Sequence, residues 1–201
     1  VDDDAAVLRA LARLLESVGL SVTTYASAQE FLDELDPNAP GCLVLDVRMP
    51  GLSGLDLQDL LNAKAVRIPI IFISAHGDVP VSVRAMKGGA VDFFQKPIHH
   101  QTFLDAVNRA LVQDFETRQR EQETIEIQNR VESLTPRERE VLNLLVVGQR
   151  NKQIAAELGA SERTIKIHRA RVMEKMQAES IPDLVLMAQA VGIGKHKDPT
   201  T

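Results

Sequence analysis

The sequence predicts an α/β domain on a doubly wound parallel sheet of five strands, then a linker helix, then an all-α domain of four helices. Three observations carry this. Residues 1–112 alternate helical apolar spacing with short apolar runs. Residues 113–133 hold no Gly or Pro and are rich in Glu, Gln and Arg. Residues 134–201 hold short segments opened by capping residues, one of them strongly basic.

The elements follow in order. One strand should precede "VDDD", most of it lying before Val1, since the chain opens without Met. "AAVLRALARLLESVG" places Val7, Leu11, Leu14, Leu15 and Val18 at helical spacing, and Gly19 ends it. "SVTTY" reads as a strand and "QEFLDEL" as a helix. "GCLVLD" and "IPIIFIS" are apolar runs of the kind found in parallel strands covered on both faces. "GLDLQDLLNAKA", "VPVSVRAMKGG" and "HHQTFLDAVNRALV" are the intervening helices, with "AVDFFQK" as the last strand. Residues 113–133 continue the preceding helix. Ile127, Val131 and Leu134 give them a short apolar stripe, which leaves both a solvated linker helix and a dimerising coiled coil open. In the tail, Thr135, Pro136 and Glu138 form a capping box. Asn151 caps the short helix "KQIAAELG", and Ser161 caps the basic helix after a tight turn. "IPDLVLMAQAV" closes the domain. Short helix, turn and basic helix form a helix-turn-helix.

Totals narrow the function. The formal charge is −5, but it is uneven. Residues 1–112 carry fourteen acids and nine bases, residues 113–133 six and three, and residues 134–201 eight and eleven. An acidic front and a basic tail imply different partners. One cysteine, Cys42, excludes a disulfide framework and a multi-Cys metal site, and its apolar run suggests a buried, inert thiol. No apolar run approaches the ~18 residues of a membrane span and no signal peptide is visible, so the expected compartment is the cytoplasm.

Carboxylates gather where strands end: Asp2 and Asp3 after the first, Asp46 after "CLVL". Ligands of such sheets bind at those ends. Converging carboxylates repel, and a divalent cation relieves this; Mg²⁺ takes one or two carboxylates plus water and phosphate oxygens. Lys96 supplies a cation and Ser74 a hydroxyl at two other strand ends. Carboxylate nucleophile, Mg²⁺, Lys and hydroxyl together suit phosphoryl transfer. Read alone, "VDDD" is equally a solvated run or a helix N-cap.

"VDD", "LVLDVRMPGLSG", "ISAHGD" and "AMKGGAVDFFQKP", in this order, resemble the receiver domain of two-component response regulators. The resemblance covers residues 1 to about 112. It implies that Asp46 accepts phosphate from a phosphohistidine on a sensor histidine kinase. Mg²⁺ would be held by Asp3, Asp46 and the backbone carbonyl of Arg48, with Asp2 nearby or acting through water. Ser74 and Lys96 would contact the phosphoryl group, Phe93 would be the aromatic switch, and Lys96–Pro97 would be cis. Ser74 stands where Thr is commoner, and Ile98 where Phe is usual.

"ERTIKIHRARVMEK" holds five cations in fourteen residues. On a helical wheel Ile165, Val172 and Met176 share the core face. Arg163, Ile167, Ala170 and Glu174 lie opposite, flanked by Thr164, Lys166, Arg171 and Lys175. Small or apolar residues between marginal cations fit a major groove, with phosphates met at the edges. A solvated charged face is the other reading. Arg169 lies nearer the core. The stretch 134–190 resembles the LuxR-type helix-turn-helix of the NarL/FixJ family, and the receiver stretch is closest to FixJ-type members. The resemblance implies that Lys166, Ile167 and Ala170 face the groove, with Asn151, Lys152, Thr164 and Lys175 near phosphates. His168 borders the core, so a structural role and a phosphate contact both stand.

The function expected is a phosphorylation-gated transcription factor. Its partners would be a sensor histidine kinase, operator DNA, RNA polymerase and, once phosphorylated, a second copy. The resemblance to receiver domains also implies a dimer surface at roughly Val81–Lys87 and Val91–Phe94, with Arg84 expected on the exposed side of that helix. A phosphatase is disfavoured because Asp46-Val47-Arg48 lacks a second acid, and no Walker loop or HExxH occurs. A constitutive DNA-binding protein is the alternative.

Overall fold

The computed structural model describes residues 1–75 and 79–194. The chain divides into two compact units, Val1–Arg118 and Gln119–Thr201. His76, Gly77 and Asp78 of the "ISAHGD" motif, and the last seven residues of the expected DNA-binding domain, lie outside the described residues.

The first unit is built on three parallel strands, β1 (Leu43–Asp46), β2 (Ile70–Ser74) and β3 (Asp92–Gln95), in that order. Every residue of β2 is buried, as a strand covered on both faces requires. The pleat sends its side chains to two cores. Ile70 and Phe72 join Leu43, Leu45, Phe31, Leu57 and Ala85, while Ile71 and Ile73 join Leu15, Phe103, Ala106 and Val107. Helices α2 (Ala28–Asp33), α3 (Gly54–Ala63) and α4 (Val79–Lys87) therefore cover one face. Helix α1 (Ala5–Glu16) and the start of α5 (His100–Glu132) cover the other. This is the double winding expected, with three paired strands among the described residues rather than five. "SVTTY" forms no ladder. Asp2 N–H donates to Tyr25 O at 3.2 Å. Only Val1 and Asp2 run beside β1, held by Val1 N to Val44 O at 2.7 Å and Asp46 N–H to Val1 O at 2.9 Å.

Helix α5 is one helix of 33 residues, so residues 113–132 do continue the preceding helix. The second unit holds α6 (Pro136–Val146), α7 (Asn151–Glu157), α8 (Glu162–Met176) and α9 (Ile181–Ala190). The Thr135–Glu138 capping box opens α6, and Gly148, at φ +83°, follows its end. Ser161 caps α8 through Thr164 N–H. The expected cap of α7 is corrected: Arg150 is the N-cap residue, Gln153 Oε1 accepts its N–H at 2.8 Å, and Asn151 is the first helical residue. Val131, Leu134, Leu142, Ile154, Ile165, Val172, Met176 and Leu184 form one core.

Candidate functional site

Three strand ends assemble the acidic site. Asp46 closes β1, Ser74 closes β2, and Lys96 follows β3. Parallel pairing sets Asp46 beside Ile73, and Lys96 N–H donates to Ser74 O at 2.8 Å. The Lys96 ammonium lies 2.7 Å from both Asp46 Oδ1 and Asp2 Oδ2. Asp2, Asp46 and Ser74 are 1%, 5% and 2% exposed, so these carboxylates depend on fixed donors for solvation. Arg48 N–H supplies one to Asp46 Oδ2 at 2.7 Å, and Asp4 N–H one to Asp2 Oδ1 at 2.9 Å. Burial works against the Lys96 charge, but its bonds to Asp2 and Asp46 outweigh that and hold its pKa above the ordinary lysine value.

Gly54 opens α3 against the end of β1. A Cβ there would collide with the Asp46 carbonyl, so glycine permits the approach. Phe93 is half-buried, 6.5 Å from the Phe72 ring. Lys96–Pro97 is cis. Asp3 is exposed beside the cluster. Among the described residues no group of three or more His, Cys, Asp or Glu could hold a metal by itself. Two buried carboxylates sharing one ammonium keep a net negative charge with oxygen donors. That fits an ion completing its shell with backbone carbonyl, water and phosphate oxygens, as Mg²⁺ does.

The basic helix α8 buries Ile165, Val172 and Met176 completely. Arg163, Thr164, Lys166, Ile167, Ala170 and Arg171 are exposed, as is Lys152 on α7. Ile167 is 49% exposed, a large apolar residue left in solvent amid cations. Three sequence-predicted residues behave differently. Lys175 donates to Glu138 Oε2 at 2.7 Å and to Ser133 O at 3.1 Å, so a buried acid of α6 engages its charge. Asn151 Oδ1 accepts from Arg169 at 3.3 Å. His168 is half-buried, with Nδ1 enclosed and unbonded, so only its other nitrogen remains for a phosphate. Sequence reading missed the Glu138–Lys175 pair. The capping box had already assigned Glu138 a task, and nothing in the spacing joins residues 37 apart.

Comparison with known proteins follows the same division. Residues 1–108 match the family described as response regulator receiver domain, and residues 132–188 that described as bacterial regulatory proteins, luxR family. The transcriptional regulatory protein FixJ of Azorhizobium caulinodans is 47% identical over 200 residues, covering 100% of this chain and 95% of that protein. The chain belongs to the NarL/FixJ family of response regulators. Nodulation protein W of Bradyrhizobium diazoefficiens is 48% identical over 201 residues, covering 100% of this chain and 88% of that protein. A solved structure of response regulator StyR aligns with a TM-score of 0.85 at 46% identity, covering 94% of this chain and 96% of that one. As a NarL/FixJ-family member the chain is a transcriptional regulator of a two-component system, not a metabolic enzyme, and phosphorylation-gated regulation is the family norm. Its receiver domain implies a sensor-kinase partner and its LuxR-type domain implies DNA binding. No helix among the described residues is long and apolar enough to cross a membrane.

Proposed function

We propose that Asp46 is the phosphoacceptor and that its phosphorylation drives dimerisation and operator binding. The observation carrying this is the buried Asp46 carboxylate, fixed by Lys96 and the Arg48 amide at the end of β1. An Asp46 oxygen attacks the phosphorus of a phosphohistidine. The P–O bond forms as the P–N bond breaks, and the imidazole leaves with the electron pair. Lys96 and the Ser74 hydroxyl take up charge on the phosphoryl oxygens. Asp3, Asp46 and the Arg48 carbonyl would hold Mg²⁺, with Asp2 nearby or acting through water while it bonds Lys96, and the ion would supply further neutralisation of charge on those oxygens. Water removes the phosphate slowly, and the protein acts on no outside substrate.

Ser74 then draws inward and Phe93 follows, reshaping the face of α4 and β3. That face supports pairing. Val79, Val83 and Met86 are 71%, 45% and 46% exposed along one helix. Arg84 is exposed as expected, but it already pairs with Asp59 at 2.7 Å and Asp56 at 3.6 Å. Two LuxR-type domains then read two half-sites. Arg163, Lys166, Ile167, Ala170 and Arg171 enter the groove, with Lys152, Thr164 and Asn151 toward phosphates. Transcription is activated through RNA polymerase, in the cytoplasm. The proposed domains are 1–112, a linker helix 113–133, and 134–201. The sheet is proposed to be five-stranded, with the Val1–Asp2 and Ser21–Tyr25 segments outside β1 as two of its members.

Asp46→Asn, treated with acetyl phosphate and Mg²⁺, should show no shifted band on a phosphate-affinity gel, whereas the parent chain shifts. An alkali-labile phosphate retained on the variant would overturn the assignment.

A further inference from the structure

The receiver family matches only to residue 108, yet the first compact unit runs to Arg118. Between these two positions lies one buried cluster. Asp114 is 3% exposed, although it sits on the extension of α5. Its carboxylate accepts Arg118 Nε at 3.0 and 2.8 Å and Gly41 N–H at 2.9 Å. The Arg118 fork continues to two backbone carbonyls, Asn38 O at 2.9 Å and Ala39 O at 2.6 Å. A planar guanidinium satisfies a carboxylate and two carbonyls together, which a lysine cannot do. The 38–41 loop leads directly into β1, so the helix is fastened to the sheet's own connection.

Past Arg118 the burial stops. Every residue from 119 to 126 is exposed. Thr124 bonds to Arg120 O and Gln122 to Glu126, within the helix itself. Burial resumes at Ile127 and Val131. A short helical stretch with no packed face has little stability of its own.

We infer that Asp114 and Arg118 form a latch that makes α5 part of the receiver unit as far as Arg118, and that residues 119–126 are where the helix opens first. The latch is separate from the phosphoacceptor chemistry.

Hydrogen exchange on the full chain tests this. Amides of residues 110–118 should exchange about tenfold or more slowly than those of 119–126. Arg118→Ala should raise exchange at 110–118 to the rate of 119–126 and leave α6–α8 unchanged. Arg118→Lys, which keeps the charge but not the fork, should fall between. Limited digestion with a glutamate-specific protease gives a second reading. The parent chain should be cut after Glu121, Glu123 or Glu126 and spared after Glu116, and Arg118→Ala should gain the Glu116 cut. Asp46→Asn should behave like the parent, which keeps this result separate from the phosphoacceptor proposal. Equal exchange across 110–126 in the parent, or an Arg118→Ala profile matching the parent, would overturn the latch.

Discussion

Lys175→Ala separates two roles for one cation. The wheel sets Lys175 at the margin of the DNA face, but the structure spends its charge on Glu138. The Glu138 side chain is 3% exposed and the Lys175 side chain 35%. Removing one partner of a fully buried pair costs about 3–5 kcal/mol. Water reaches the Lys175 side, and Thr135 N–H still bonds Glu138 at 2.9 Å, so about 2 kcal/mol is expected, at the level of a charged hydrogen bond. For a domain of this size that lowers Tm by about 8–16 °C. Hydrogen exchange across residues 136–146 should report a comparable loss. The bond from Lys175, then the Thr135 amide, hold the Glu138 pKa at about 2, against an ordinary 4.5. Because the folded value lies below the unfolded one, the contribution is complete above pH 4.5 and is lost as pH falls toward 2. The gap between parent and variant should therefore close over that range. DNA affinity of the still-folded variant, measured at low temperature, should keep the parent's salt dependence. Unchanged melting with a salt slope smaller by about 0.9 would instead make Lys175 a phosphate contact and not a partner that stabilises Glu138.

Three further outcomes are expected. Ile167→Ala should leave stability nearly unchanged and alter preference at one base position by roughly 1–3 kcal/mol, read from DNA selected by each protein. Gly54→Ala should destabilise the receiver by about 1–3 kcal/mol in urea titrations and impair phosphorylation, because a methyl group has no room against the Asp46 carbonyl. Lys96→Ala removes the ammonium between Asp2 and Asp46. It should lower Tm without Mg²⁺ and enlarge the rise in Tm on adding Mg²⁺, while phosphate-induced dimerisation fails; an unchanged Mg²⁺ response would count against a site built on these carboxylates.

Much of this molecule is legible from its pattern. The apolar runs at 43–46 and 70–74 and the helical spacing of residues 5–16 specify a covered sheet, because each matches one period throughout. Asp46, Ser74 and Lys96 were readable because strand ends in a parallel sheet converge whatever their spacing in sequence. Two further strands are not realised as ladders among the described residues: Val1 and Asp2 offer "SVTTY" few backbone groups to pair with, and Asp2 N–H meets Tyr25 O. Asn151 looked like a cap by residue type, but the turn after Gly148 starts the helix one residue earlier, and Gln153 meets the Arg150 amide instead. The partners of Lys175, and the loop carbonyls that Arg118 meets, were hidden because those bonds cross long separations onto backbone carbonyls and a buried acid. Neither hydrophobic period nor charge counting registers such contacts.

The most direct test of phosphate-gated pairing is the mass of the full chain in sedimentation, with and without beryllofluoride and Mg²⁺, at concentrations that bind operator DNA. The expected result is a monomer without beryllofluoride, a dimer with it, and a monomer in both conditions for Asp46→Asn. A parent chain whose mass does not change while its DNA affinity rises would contradict it, and would mean that phosphate acts on the DNA-binding domain without pairing the receivers.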